Sequence, residues 1–573
     1  MDPPGLSLPL PRASAVSSHR LPASDAGESA ASQRDVQASG PHPRSTPVAG
    51  PDLLTAMRHA PRVQGTEIRL AELVCSISLA TDLGTGQPLE HALRTCVLAQ
   101  RAGDALGLEP SERRELYYVS LLRFLGCTYG AAEDARFSGG SELDLYAGFA
   151  PVLMGKQTEA LGWLLRNLGR GQPARRRAAL VLSALKDTDG VERSLAEHCE
   201  AGQRLARRMG LAEGVVAALG LAFERWDGRG YPNRVPGDEL PASVRISLVA
   251  RDVELLERIG GQDLVRETLS KRSGRAYDPR VVEVFLESAP RWQAELDSAW
   301  EAALAAEPFP HAVVAADRLE TALEAFADFV DLKSPFLRGH SAGVARIVAD
   351  AAVALGLDGT TRARVRRAAL VHDLGRVGVS NAIWDRPGPL STEEWERVRL
   401  HPYYTERILA RSALWPELGS ACAHHERLDG SGYHRGSTAA LLSAEDRLLA
   451  AADAFQAMTQ RRPHREALTP EQALAELVRD AEAGQLDARC VRAVAEAAGQ
   501  ERPPLEAWPD GLTDREVEVL RLLARGMSTK EVATELVIAS KTVGRHVESI
   551  YAKAGVRTRA GATLYALERG LAE

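Results

Sequence analysis

The sequence predicts an all-α protein: two consecutive copies of one helical bundle, then a small four-helix domain of helix-turn-helix type. Three observations carry this. Apolar residues recur at helical spacing through most of the chain. GQPLEHALRTCVLAQRAGDALGL has a later counterpart in LRGHSAGVARIVADAAVALGL, and FERWDGRGYP has one in HERLDGSGYH, so the chain holds an internal repeat. The last stretch carries two capping boxes, each opening a short helix, with tight links between.

Composition narrows the classes of function. The 573 residues require several domains, and 45% apolar with 26% charged residues is ordinary for globular protein. A net charge of −7 gives no reason to expect wholesale binding to nucleic acid or membrane. The six cysteines are scattered without a CxxC pair, which argues against a disulfide framework or a thiolate zinc site and fits a reducing compartment. No apolar run approaches the roughly 18–20 residues that span a bilayer, and no apolar signal core opens the chain. The expected setting is cytoplasmic, away from membranes.

In chain order, residues 1–51 are rich in Pro, Ser, Ala and Gly and bury too little to order, so a disordered tail is expected. Residues 52–262 form the first copy, with a helix over 93–108 and a turn-rich loop over 224–232. An insertion relative to the second copy falls between about Thr128 and Val191. Residues 263–310 read as a helical connector. The second copy covers 311–500, and the helix-turn-helix domain 511–573.

The second copy holds the chemistry. His340, His372-Asp373, His401, His424-His425 and Asp453 stand in series, and imidazole with carboxylate suits iron, manganese, zinc or nickel. His340 opens a helix whose apolar face is Val344, Ile347, Ala351 and Leu355. His372 and Asp373 close the next. Neighbouring helical residues point about 100° apart, so such a pair can reach one metal with the imidazole while the carboxylate turns toward a second. Ser391 and Glu394 form a capping box opening the helix expected to carry His401. Asp453 lies in the apolar helix RLLAAADAF, where a carboxylate needs a partner. The first copy keeps His91 and His198 at matching positions but has Arg123-Phe124 and Ala222-Phe223 where the pairs should be, with Asp252 one residue out of register, so it is expected to hold no metal.

Embedded in VHDLGRVGV, RLHPYY, HHERLDGSGY and LAAADAFQAMTQRRPHR, these seven residues resemble the HD-GYP family of metal-dependent phosphodiesterases, which act on cyclic dinucleotides, chiefly cyclic-di-GMP. The resemblance implies tandem HD-domain bundles, the first degenerate. It implies two divalent ions, iron or manganese, one held by His340, His372, Asp373 and Asp453, the other by Asp373, His401, His424 and His425. A three-metal variant has glutamate where Phe336 stands here. Asp373 and Arg376 carry the catalytic expectation, and Arg376, Arg462 and Arg465 the substrate-binding one. The chain departs from the family at Arg376, usually lysine, and at His434, usually proline.

At the C-terminus, Thr513 with Glu516 and Ser528 with Glu531 are the two capping boxes, and Gly526 ends the first helix. Val543, Val547, Ile550 and Tyr551 mark the inner face of the third. LTDREVEVLRLLARGMSTKEVATELVIASKTVGRHVESIYAKAGV resembles the DNA-binding domain of LuxR-type regulators. That implies a third helix in the major groove, with Lys541, Thr542, Arg545 and His546 as contacts, double-stranded DNA as a partner, and a homodimer on two half-sites. The expected function is a cyclic-dinucleotide phosphodiesterase coupled to a DNA-binding regulator. Two other readings stay open: a catalytically silent nucleotide sensor, and a metal-dependent hydrolase of another phosphate ester.

Overall fold

The computed structural model describes residues 68–153, 156–186, 190–294, 298–501, 503, 508, 510, 512–569 and 571; the tail expected over 1–51 lies outside them. Among the described residues the regular elements are helices apart from one short antiparallel pair. Its strands are β1 (Ile68–Arg69) and β2 (Val313–Val314), which tie the start of the first copy to the start of the second.

The first bundle begins with α1 (Leu70–Gly84), in which only Glu72 and Leu83 escape burial. A helix buried all round belongs in the middle of a molecule. Its polar residues are compatible with that place because Ser76, Ser78 and Thr81 donate their hydroxyls to carbonyls of the same helix. Then come α2 (His91–Ala105) and α3 (Pro110–Leu122). The expected insertion folds as α4 (Ala131–Ser138), α5 (Glu142–Phe149), α6 (Gln157–Asn167) and α7 (Ala174–Lys186). The bundle resumes with α8 (Gly190–Arg208), α9 (Glu213–Leu219) and α10 (Ala242–Arg272), the last interrupted at Gly261 (φ 69°). The segment 263–310 completes α10 and adds α11 (Pro279–Ala294) and α12 (Ala299–Ala305). Val265, Leu269, Val282, Phe285 and Trp292 close on Leu98, Ala102, Val249 and Val253, so this connector packs as part of the first bundle.

The second bundle runs α13 (Ala316–Asp331), α14 (His340–Ala354), α15 (Gly359–Val371), α16 (Asn381–Trp384), α17 (Thr392–Arg399), α18 (His401–Leu409), α19 (Trp415–Leu418), α20 (Ala444–Met458), α21 (Pro470–Glu482) and α22 (Ala488–Ala497). Expected inside the helix begun at Ser391, His401 instead opens its own helix. α17 ends at Arg399, and Pro402, which lacks an N–H and disfavours helix before it, takes the first turn of α18.

The two copies reuse the same steric devices. A Cβ on Gly126 would lie 2.0 Å from the carbonyl oxygen of His198, and one on Gly375 2.0 Å from that of His401. Glu90 and Gly339, just before the matching histidines, are both left-handed (φ 78° and 69°). Buried Glu224 accepts from the amides of Asn233 and Arg234, as buried Glu426 does from Arg435 and Ser437. The bundles also share one core, in which Leu73, Val74 and Ile77 cluster with Leu323, Phe326, Val330, Leu374 and Val377. Each such side chain contributes about 1.5–3 kcal/mol by leaving water, so neither bundle is expected to fold unchanged without the other.

The C-terminal domain is α23 (Asp514–Ala524), α24 (Thr529–Glu535), α25 (Ser540–Ala554) and α26 (Arg559–Glu568), around Val517, Leu520, Val532, Val543 and Ile550. Both capping boxes form there, as does the one at Ser391. Among the described residues no helix is long and apolar enough to cross a membrane.

Candidate metal centre

Local structure fixes three imidazoles identically. His372, His401 and His424 each place Nδ1 2.7–2.8 Å from the carbonyl oxygen three residues earlier, in Ala369, Val398 and Ala421. A carbonyl only accepts, so Nδ1 donates, and in the neutral ring Nε2 is the nitrogen that carries the lone pair. His340 reaches the same state through a side chain, with Nδ1 2.9 Å from Oε1 of Gln460.

Those Nε2 atoms converge on two carboxylates. Oδ2 of Asp373 lies 3.6 Å from Nε2 of His340 and 3.4 Å from that of His372. Its Oδ1 lies 3.5 Å from Nε2 of both His401 and His424. Asp453 places Oδ1 3.1 Å from His340 and 3.7 Å from His372, and Oδ2 4.0 Å from Nδ1 of His425. Asp373 thus turns one oxygen to each half of the cluster.

The donor set fits divalent cations. Nε2 of His401 and His424 face each other at 3.1 Å with both protons committed elsewhere, so two lone pairs meet. Nε2 of His372 is buried and has no hydrogen-bond partner. Ligands about 2.1 Å from one ion stand roughly 3.0–3.4 Å apart, close to the separations observed. The groups His340–His372–Asp373, His401–His424–His425 and His372–His424–Asp453 each bring their ligand atoms within 4.8 Å of one another.

The electrostatics agree. Burial pushes His401 down to about 3 and His425 well below the usual imidazole range, keeping both neutral and able to ligate. Burial would raise Asp373, but Arg376 and His372 hold it well below the carboxylate range; His340 and His372 do the same for buried Asp453. Burial alone would lower His372, yet Asp373 and Asp453 beside it raise it to about 10. The carboxylates therefore draw positive charge to that point.

The corresponding place in the first bundle is plugged. Phe124, Phe223 and His198 meet edge to face or tilted at 5.0–6.4 Å, with Leu195, Cys199 and Ala222 around them. The guanidinium of Arg123 lies over Phe223 and that of Arg251 over Phe124. His91 pairs with Glu254, and Asp252 with Arg251, Arg272 and Tyr277. Among the described residues the potential metal-holding groups all lie in the second bundle.

The arginines divide. Nη1 of Arg376 is 2.8 Å from Oδ2 of Asp373, and its guanidinium stacks 4.1 Å over Trp384. Arg462 reaches the other side of the cluster, 3.4 Å from Nδ1 of His340. Arg465 is used differently: it donates to the carbonyls of Ala457 and Met458 at the end of α20 and holds the turn bearing Arg462. Three residues not singled out from the sequence complete the site: Gln460 and Tyr433, which lie inside the quoted motifs, Tyr433 stacked on His425 at 4.7 Å, and Trp384, outside them, whose ring meets His401 at 5.5 Å. His434, where the family has proline, lies 3.4 Å from Glu406. On α25, Lys541, Thr542 and Arg545 are exposed and His546 half-buried.

Comparison with known proteins adds independent weight. Residues 324–490 match the HD domain family, and residues 510–566 match the bacterial regulatory proteins of the luxR family. The chain is 33% identical over 414 residues, 71% of its own length and 90% of the relative's, to 3′3′-cGAMP-specific phosphodiesterase 3 of Vibrio cholerae. It is 35% identical over 150 residues to the cyclic di-GMP phosphodiesterase response regulator RpfG of Xanthomonas campestris, covering 26% of this chain and 39% of that protein. A crystal structure of a cyclic GMP-AMP specific phosphodiesterase of V. cholerae (V-cGAP3) superposes with a TM-score of 0.53 at 28% identity, over 76% of this chain and 98% of the other.

Proposed function

This chain belongs to the HD-domain phosphodiesterases of HD-GYP type, which are metal-dependent hydrolases, and we propose that its second bundle hydrolyses a 3′,3′-linked cyclic dinucleotide. The observation that carries the proposal is Asp373, whose two oxygens address two separate imidazole groups. In this reading His340, His372, Asp373 and Asp453 hold one divalent ion and Asp373, His401, His424 and His425 a second, with iron or manganese the expected metals. Such a pair, when bound, supplies Lewis acidity to the phosphoryl oxygens and acidifies the attacking water.

The chain's own groups do the rest. The carbonyls of Ala369, Val398 and Ala421, with Gln460, hold a proton on Nδ1 of four histidines and aim their Nε2 atoms inward, leaving Nε2 as the nitrogen to ligate. Arg376 and Arg462 stand on two sides of the cluster and offer donors to the non-bridging phosphate oxygens. Trp384 and Tyr433 offer ring faces to the bases. Water adds across one P–O bond of the ring, leaving a linear dinucleotide. The motifs point to cyclic-di-GMP. The relative matching over 71% of the chain acts on the hybrid GMP-AMP dinucleotide, so both belong in the first assay.

Double-stranded DNA is the second partner in this reading, through Lys541, Thr542, Arg545 and His546 of a dimer. A physical link supports coupling. Trp508, nearly buried, sits between Arg489 of α22 (5.2 Å) and Arg521 of α23 (5.3 Å). α22 packs on α14 and α20, the helices bearing His340 and Asp453.

The test is turnover of both cyclic dinucleotides by the purified chain, with Mn²⁺ or Fe²⁺ under reducing conditions and His372→Ala/Asp373→Ala as the blank. Metal-dependent linear product absent in the blank supports the reading. Bound metal without product favours the silent sensor.

A further inference from the structure

The insertion of the first bundle meets the second through α4, which packs on α16, and through a fully buried ion pair. Glu142, in the first turn of α5, has no exposed surface, and Lys333, just after α13, has 2%. Oε1 of Glu142 accepts from Nζ of Lys333 at 2.8 Å and from the amide of Asn381 at 2.9 Å. Oε2 accepts from Oγ of Ser380 at 2.5 Å and again from the Asn381 amide at 3.1 Å. Asn381 in turn donates to the carbonyl of Lys333 and to Asp385, and Asp385 accepts from Ser334. A buried ion pair between bundles gains little over apolar contact, and where such pairs persist, fixing one register is a recognised use. The register set here belongs to residues 380–385, which are joined to the His372-Asp373 turn by one short 3₁₀ helix (Leu374–Gly378).

That segment leads to the candidate metal centre. Trp384 closes α16, its indole N–H donates to the carbonyl of Arg376 (3.3 Å), and its ring carries the Arg376 guanidinium. Arg376 bonds Asp373, and Trp384 also packs against His401. Contacts therefore run from Glu142 through Ser380 and Asn381 to Trp384, and from there to Arg376 and the cluster.

We propose that Glu142 of the first bundle is a positioning residue for the second bundle's reaction. It anchors the 380–385 segment so that Trp384 presents Arg376 to the substrate phosphate. This assigns the degenerate copy a task at the site it does not itself contain, and it rests on the phosphodiesterase reading above.

The test uses the full-length metal-loaded protein. Glu142→Leu/Lys333→Met removes both charges together, which preserves folding better than stranding one of them, yet it leaves Ser380 and the Asn381 amide without their acceptor. Metal content and melting temperature are expected near wild type. Hydrogen exchange in the peptide covering 379–386 should quicken, and kcat/KM on a cyclic dinucleotide should fall about 10- to 100-fold, mostly through KM. Ser380→Ala, which removes one donor to Glu142 and strands no charge, should fall between, and it serves alone should the double variant not fold. Unchanged exchange overturns the proposal, as does faster exchange with wild-type kcat/KM. If the wild type hydrolyses no cyclic dinucleotide, the phosphodiesterase reading fails and the positioning role with it; the exchange data still report separately whether Glu142 anchors the segment.

Discussion

Gln460 illustrates the residue scale. It accepts from His340 across 120 residues of sequence and so decides which imidazole nitrogen faces the cluster. Gln460→Leu should weaken metal binding about 10- to 100-fold, read by competition with a chelator, while the helices stay intact. The other three histidines take the same service from backbone carbonyls, which no side-chain replacement removes. At the DNA-binding end, exposed Lys541 is placed for a phosphate. Lys541→Ala should weaken binding to every DNA sequence alike and lower the salt slope by about 1, measured by titration at several salt concentrations. The seven ligand candidates were legible because histidines and aspartates in adjacent pairs have no ordinary structural reason to recur. Gln460 and Tyr433 sit inside quoted motifs and Trp384 outside them, but none was assigned a role, because glutamine and aromatics are common and only their position beside a histidine gives them one. Arg465 shows the converse: beside Arg462 in sequence, it is claimed by carbonyls at a helix end.

At the scale of elements, two close contacts set the site. Gly375 lets the turn after Asp373 lie against α18, where a Cβ would come 2.0 Å from the His401 carbonyl oxygen and 2.5 Å from the Thr405 amide nitrogen. Both neighbours are backbone, so Gly375→Ala should destabilise the fold by more than about 3 kcal/mol, or displace α18 with loss of metal binding; denaturant melts with metal titration distinguish the two. In the C-terminal domain, Glu516 closes the box at Thr513 and also holds Ser549 and Lys553 of α25. Burial opposes its ionisation, but Lys553, Ser549 and the capping bonds prevail and lower it from 4.5 to about 2. Its contribution is therefore fully present above pH 4.5 and lost as pH falls toward 2. Glu516→Gln should cost about 0.5–2 kcal/mol at neutral pH and flatten that acid dependence, followed by hydrogen exchange in α23. The capping boxes were readable from four-residue patterns because they are local. The break between α17 and α18 had its sign in Pro402, which outweighs the helical periodicity around it.

At the scale of the molecule, three parts share one chain: a bundle with a ligand cluster, a bundle with an aromatic plug, and a luxR-family domain whose Arg521 meets Trp508 opposite Arg489 of the second bundle. Trp508→Ala should leave turnover near wild type while abolishing any effect of cyclic dinucleotide on DNA affinity; retention of that effect would place the coupling elsewhere. The sequence by itself determined the all-α class, the repeat, the ligand series and the C-terminal domain, because each is written in short-range periodicity or in residue types with few alternative uses. Only the tertiary structure decided that 263–310 packs on the first bundle, that Asp373 splits its oxygens between two histidine groups, and that Glu142 reaches the turn behind Arg376. Those are contacts between residues tens to hundreds of positions apart. Their existence depends on how helices pack, and local pattern does not encode that.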